Sequence, residues 1–293
     1  MGSPNSLGMI DVKHGSNTST RVNLGKDDVV AGLALAKDGS FYLVTKNALW
    51  SWVPAEARVT WLEGAPKNVN FDDVACNPRT DEVLVTSGPD LYYKSNRRTG
   101  VTAVNIRYPP GKKIESPTFL PDNSFIFSAD GDLWHGFIEY AAKEPGSTNQ
   151  CAKAALVAYR YAPLATRETY DGTPSETGIR AIAVSRKKVY VDFGRMEGSG
   201  WGRVVRMELP VQEPGTWASH NGADETVKTL GSVEDLGCIH GGHVYLCGSP
   251  DGCRVYFGDG CGDARPHPRS FWIINDGTIQ SANADHSTKG AGR

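Results

Sequence analysis

Residues 113–137 read KIESPTFLPDNSFIFSADGDLWHGF, and their alternation of apolar runs with turn residues decides the fold. Pro117 disfavours the helical region for the residue before it, so Ser116 is expected to be extended and 116–120 to begin a strand. Pro121-Asp122-Asn123-Ser124 is a tight turn: proline presets φ, while Asp and Asn tolerate the left-handed region and bond their own backbone. Phe125-Ile126-Phe127 is an apolar run of strand length bounded by turn signals, as in a strand buried on both faces. Ala129-Asp130-Gly131-Asp132 turns the chain again, and Leu133-Trp134-His135-Gly136-Phe137 begins a third strand.

Weaker copies flank this stretch. Residues 29–54 hold a strand, the Lys37-Asp38-Gly39-Ser40 turn, a second strand and Leu49-Trp50, with 58–62 as a fourth strand. Residues 70–95 repeat the order around Asn77-Pro78-Arg79-Thr80-Asp81, with Asp90-Leu91-Tyr92 matching Asp132-Leu133-Trp134 and 99–106 as the outer strand. A fourth copy spans 176–209 around Ser185-Arg186-Lys187-Lys188, and a fifth spans 236–275 around Ser249-Pro250-Asp251-Gly252. Between turn positions Asp38, Thr80, Asp122, Arg186 and Asp251 the intervals are 42, 42, 64 and 65 residues. An interval of about 40 to 50 residues is one four-stranded propeller blade. The expected fold is therefore all-β: a single β-propeller of five four-stranded antiparallel blades, with six as the alternative if a longer interval hides a degenerate one. Residues 9–14 are expected to complete the last blade as its outer strand. The domain is taken as 9–280, between a flexible start or expression remnant (1–8) and a flexible tail (281–293). Residues 152–158 read equally well as helix or strand.

The stretch SPTFLPDNSFIFSADGDLWHG resembles the repeat of TolB-type propellers, the PD40 or WD40-like repeat, at Ser116, Pro117, Phe119, Pro121, Asp122, Ile126, Phe127, Asp132, Leu133 and Trp134. Asn123 stands where that repeat carries glycine. The resemblance implies a propeller that binds a protein or peptide through one disc face and the tunnel mouth, and no particular chemistry.

The chain has 293 residues, 39% hydrophobic and 22% charged, enough for one large all-β domain. A net charge of −2 argues against a nucleic-acid protein, and Arg97-Arg98 and 186–188 fall in expected turns. No apolar run approaches a membrane span and no signal peptide opens the chain. As it stands the sequence slightly favours the cytoplasm; a removed signal would instead mean the periplasm or the outside. A monomer is expected. Residues 1–6, MGSPNS, also fit the loose myristoylation pattern, beside the plainer reading as a flexible terminus.

Several residues could carry chemistry. Asp27-Asp28, Asp72-Asp73, Glu115 and Glu234-Asp235 each precede the first strand of a repeat, with Glu176 at the corresponding place in the fourth. At one mouth of a propeller tunnel, Asp28, Asp73, Glu115, Glu176 and Asp235 could form a carboxylate ring for a cation or a basic partner. Polar strand starts are the plainer reading. In 258–267, GDGCGDARPH, Asp259 or Asp263 with His267 could do acid–base work beside Arg265, against a plain polar loop. Asp130-Gly131-Asp132 has too few oxygens for calcium, and Cys238, His240, His243 and Cys247 match no standard zinc spacing. Cys247 and Cys253 flank the GSPDG loop and would form a disulfide if they face each other across it.

No catalytic motif appears, so the sequence favours a non-enzymatic interaction scaffold without a cofactor. Two rivals stand beside it. SPDGCRVYFGD resembles the S-P-D-G-x-x-x-Y-x-x-D strand of the gluconolactonase and SMP-30 propellers, metal-dependent lactonases and esterases. That resemblance implies a divalent cation, with Asp259 near a ligand position, although the family's other Glu and Asn ligands are not evident. A sugar-binding lectin would use Trp50, Tyr92, Trp134 and Trp272 as stacking platforms; their recurrence at one repeat position points instead to core.

Overall fold

The computed structural model describes residues 6–11, 16–22, 24, 28–95, 100–106, 111–140, 154–161, 179–186, 188–193, 201–208, 227–228, 232–240, 244–249, 253–259, 271–275 and 278–281. They are almost all strand; a 3-10 turn at Pro54–Glu56 is the one helical element among them. β1 (Ser6–Asp11) and β2 (Ser16–Arg21) form a hairpin. The first repeat is β3 (Val30–Leu35), β4 (Phe41–Thr45), β5 (Ala48–Val53) and β6 (Arg58–Gly64). The second is β7 (Asp73–Cys76), β8 (Val83–Ser87), β9 (Asp90–Lys94) and β10 (Thr102–Ile106). The third is β11 (Ile114–Phe119), β12 (Phe125–Ala129), β13 (Asp132–Tyr140) and β14 (Ala154–Tyr161). The fourth is β15 (Ile179–Val184), β16 (Lys188–Phe193), β17 (Trp201–Glu208) and β19 (Val233–His240); the short β18 (Val227–Lys228), between β17 and β19 in sequence, pairs in parallel with β14 instead. The last is β20 (Val244–Gly248), β21 (Arg254–Asp259), β22 (Phe271–Asn275) and β23 (Thr278–Ser281).

Five meanders thus follow the order expected from the sequence among the described residues. Three sheets are four-stranded: β3-β4-β5-β6, β15-β16-β17-β19 and β20-β21-β22-β23. The second repeat departs from that plan. Its outer strand β10 pairs in parallel with β14, Val104 opposite Ala154 and Ile106 opposite Leu156, so its sheet continues into a larger one. The chain divides into two compact units, 1–125 with 136–158, and 126–135 with 159–293.

In the first unit the turns form as their residues dictate. The Asp38 carboxylate accepts from the backbone N–H of Ser40 at 2.9 Å, and that of Asp122 accepts from Ser124 at 3.0 Å. Asn123 takes φ 72° where Gly39 takes 84°, the left-handed conformation expected of it. The turns are also linked to one another. Asp81 accepts from the Lys37 N–H at 2.8 Å, Asn77 donates to the Asn123 side chain at 3.0 Å, and Arg79 donates to the Pro121 carbonyl. Strand residues and the segments beside them pack Val44, Leu49, Phe71, Val74, Val83, Val85 and Tyr92 into one cluster and Val22, Leu24, Leu43 and Trp52 into another.

In the second unit, Ala183, Tyr190, Val204 and Val255 form the core between β15, β16, β17 and β21. Trp134 is fully buried, its ring stacked 6.3 Å from that of Phe127.

Three expectations change. Ser116 is not extended but left-handed, φ 51°, because its N–H is turned toward a carboxylate on β7. Met9–Asp11 lies in β1 and pairs with β2, while β23 is the fourth strand of the last sheet; a neighbour close in sequence takes the edge that 9–14 was to fill. Leu236 belongs to β19, the outer strand of the fourth sheet, so the last repeat begins at β20. Residues 154–158, where helix and strand read equally well, are strand.

Candidate functional site

The carboxylates that precede the first strands in the first unit come together. Asp73 opens β7 and accepts from the N–H of Val74 at 2.8 Å and from the N–H of Ser116 on β11. On its other side lies β3, where a Cβ added at Gly32 would stand 2.7 Å from Asp73 Oδ1. The residue opposite Asp73 on β8 is Thr86, which is fully buried and whose hydroxyl has no hydrogen-bond partner among the described residues. Burial raises the Asp73 carboxyl to about 6; the two N–H donors oppose that rise, and the charges of Glu115 and Asp72 add to it.

Around Asp73 the rim is open. Asp72 is exposed and accepts from the Gly88 N–H at 2.6 Å. Glu115, 41% exposed, pairs with Lys113 at 2.5 Å. The contact with Glu115 raises the Lys113 ammonium against a smaller desolvation effect. Asp28 is partly buried and accepts from the Asn47 side chain at 2.9 Å, and Val29 beside it is 56% exposed. The structure thus brings Asp72 and Glu115 within electrostatic reach of Asp73. No three His, Cys, Asp or Glu among the described residues are grouped to hold a metal ion.

Other expected site residues fall elsewhere. Asp235 lies on β19, an outer strand, rather than ahead of a first strand, because the fourth sheet takes its fourth strand from the long interval before the last repeat. Asp259 ends β21 opposite Val244; its side chain, and Glu176, Asp263, Arg265 and His267 altogether, lie outside the described residues. Cys247 stands opposite Tyr256 rather than Cys253, and neither forms a disulfide. Burial, with Asp81 and Asp38 nearby, pushes the free Cys76 thiol to about 12, an unreactive state. Tyr92 and Trp134 are core residues, as their shared repeat position suggested, and Trp50 is partly buried; the Trp272 side chain is outside the described residues.

Sequence reading missed one recurring feature. Thr86, Ser128 and Asp192 each sit six residues after the turn positions Thr80, Asp122 and Arg186, and all three are fully buried. A polar residue closing an apolar run at one repeat position was the available signal. His135, also buried, was missed too; its Nδ1 lies 3.3 Å from the Tyr161 hydroxyl.

No protein-family model matches the sequence, and no curated protein matches it either. Solved structures do match. The calcium-binding protein regucalcin from Agrobacterium tumefaciens aligns over 95% of this chain and 84% of its own, at 12% identity and a TM-score of 0.53. TolB from Acinetobacter baumannii aligns over 92% of this chain and 57% of its own, at 15% identity and a TM-score of 0.52. The WD40 repeats of RRP9 align over 94% and 74%, at 13% identity and a TM-score of 0.52.

The fold is a β-propeller. Identities this low show the fold alone. The propeller's repeats are WD40-like in the sense expected from 113–137. Among its described residues no helix is long and apolar enough to cross a membrane.

Proposed function

We propose that this propeller is a non-enzymatic platform that binds a basic protein or peptide segment at the end where its first strands begin. One observation carries the reading. Asp72 and Asp73 of the second repeat and Glu115 of the third lie close enough for the charges of Glu115 and Asp72 to raise the Asp73 carboxyl; Asp72 is exposed, and the Glu115 side chain is 41% exposed. Negative charge gathered on a rigid frame draws a Lys- or Arg-rich segment, and exposed Val29 beside Asp28 offers it an apolar contact. TolB and WD40-repeat neighbours support a binding role through shared fold. Five blades is the count we propose with it.

The test is fluorescence polarisation of a labelled oligo-arginine peptide against the full chain, at low and at moderate salt. Binding should weaken with salt, and the double variant Asp72→Asn/Glu115→Gln should lose about tenfold in affinity, roughly 1.4 kcal/mol. Equal affinity in the variant would overturn the reading.

A metal-dependent lactonase or esterase is the second reading; the calcium-binding regucalcin neighbour supports its metal, and Asp259 stands at the end of β21. Mass spectrometry of the desalted protein separates the two. One tightly held divalent ion per chain, lost with Asp259→Ala, would favour the hydrolase.

A further inference from the structure

We propose that Asp73 is a proton-operated latch joining the starting ends of β3, β7 and β11, and that its ionisation sets the charge of the acidic rim. The functional half of this rests on the binding reading above; the latch itself does not.

The geometry isolates one carboxyl among three strands. From β7 the Val74 N–H reaches it, and from β11 the Ser116 N–H, presented by a left-handed residue that must have a reason to stay so. From β3 comes Gly32, whose missing Cβ leaves room for Oδ1. From β8 comes Thr86, opposite in register and on the same sheet face, with a buried hydroxyl able to accept from a protonated carboxyl. The charged groups facing Asp73 are Glu115 and Lys113 from β11 and Asp72 from its own segment; β3 and β8 contribute the uncharged Gly32 and Thr86. Both acidic neighbours disfavour ionisation, and the two amides favour it. The balance lies at about 6, so Asp73 changes charge between mildly acidic and neutral conditions.

The sign follows from linkage. The unfolded chain loses this proton near the ordinary 3.8 and the folded chain near 6. The proton's stabilising contribution is therefore complete below the lower value and gone above the upper one. Asp73→Asn keeps an acceptor for the amides and cannot ionise.

Thermal unfolding of wild type and Asp73→Asn is compared from pH 4.5 to 8. The variant should gain on wild type as pH rises through about 6, by roughly 5 °C in Tm difference for a shift of about two pH units. Glu115→Gln, which removes a facing charge, should move that inflection to lower pH. A Tm difference that is flat with pH, or an inflection that Glu115→Gln leaves in place, overturns the latch. Oligo-arginine affinity is read in parallel: wild type should bind more tightly at pH 7.5 than at pH 5.5, and Asp73→Asn should lose most of that difference. An inflection in stability with no peptide binding at either pH sinks the binding reading and leaves the latch standing.

Discussion

Two glycines, one in each compact unit, lie on the first strands of repeats and admit different neighbours. In the first unit a Cβ at Gly32 would meet Asp73, with Oδ1 at 2.7 Å and the Asp73 Cα and Val74 N at 3.0 Å. In the second, a Cβ at Gly248 would meet the Val184 carbonyl oxygen at 2.4 Å. Both are the close strand approach that an isolated strand glycine signals. They differ in what fills the space. A backbone carbonyl holds geometry and nothing more. A carboxylate with like charges beside it can change state, so close packing yields a framework in one unit and a titratable site in the other.

The comparison breaks most readily at Gly248. Gly248→Ala drives a methyl into a carbonyl that cannot move without β15, and a loss of about 3 kcal/mol or more is expected in urea unfolding. A loss under roughly 1 kcal/mol would mean the approach is looser than described. Gly32→Ala should cost less, about 2 kcal/mol, because part of the clash is with a side chain. That cost should shrink in an Asp73→Ala background, and the double-mutant cycle measures the coupling. If the two changes simply add, the β3–Asp73 contact carries no energy. The smallest effect concerns the exposed turns. Hydrogen bonds from Ser40 hold the Asp38 carboxyl below its ordinary value, so that contribution is present at neutral pH and lost as pH falls through the lowered value. Ser40→Ala should cost about 0.5 kcal/mol at pH 7 and nothing near pH 2 by chemical denaturation. A turn carboxylate thus titrates in the opposite sense to Asp73, and an equal cost at both pH values would erase that contrast.

Much of the fold was legible because local chemistry fixes it. The Asp122–Asn123 turn, the buried Phe125-Ile126-Phe127 strand and the two 42-residue intervals need only neighbours in sequence. The adjacency of Asp72, Asp73 and Glu115 was legible too, since equal spacing places strand starts side by side. What failed depended on distant partners. The pre-proline rule gave an extended Ser116, but the carboxylate that turns its N–H lies on another strand. Asp235 was misplaced because the 65-residue interval to the last turn holds an outer strand, β19, that resembles a first strand in sequence. Nothing local announces that β10 and β14 run parallel. Gly32 reads as an ordinary strand glycine until the strand beside it is known.

The parallel pair of β10 and β14 also sets an order of events in synthesis. Val104 and its partner Ala154 are separated by 50 residues, so the edge of β10 is made well before the strand that covers it. Until then the nascent chain presents an open row of backbone donors and acceptors to any other strand nearby. Pausing of the ribosome between these two strands would lengthen that exposure. Misassembly of this propeller should therefore begin at β10, in its second repeat.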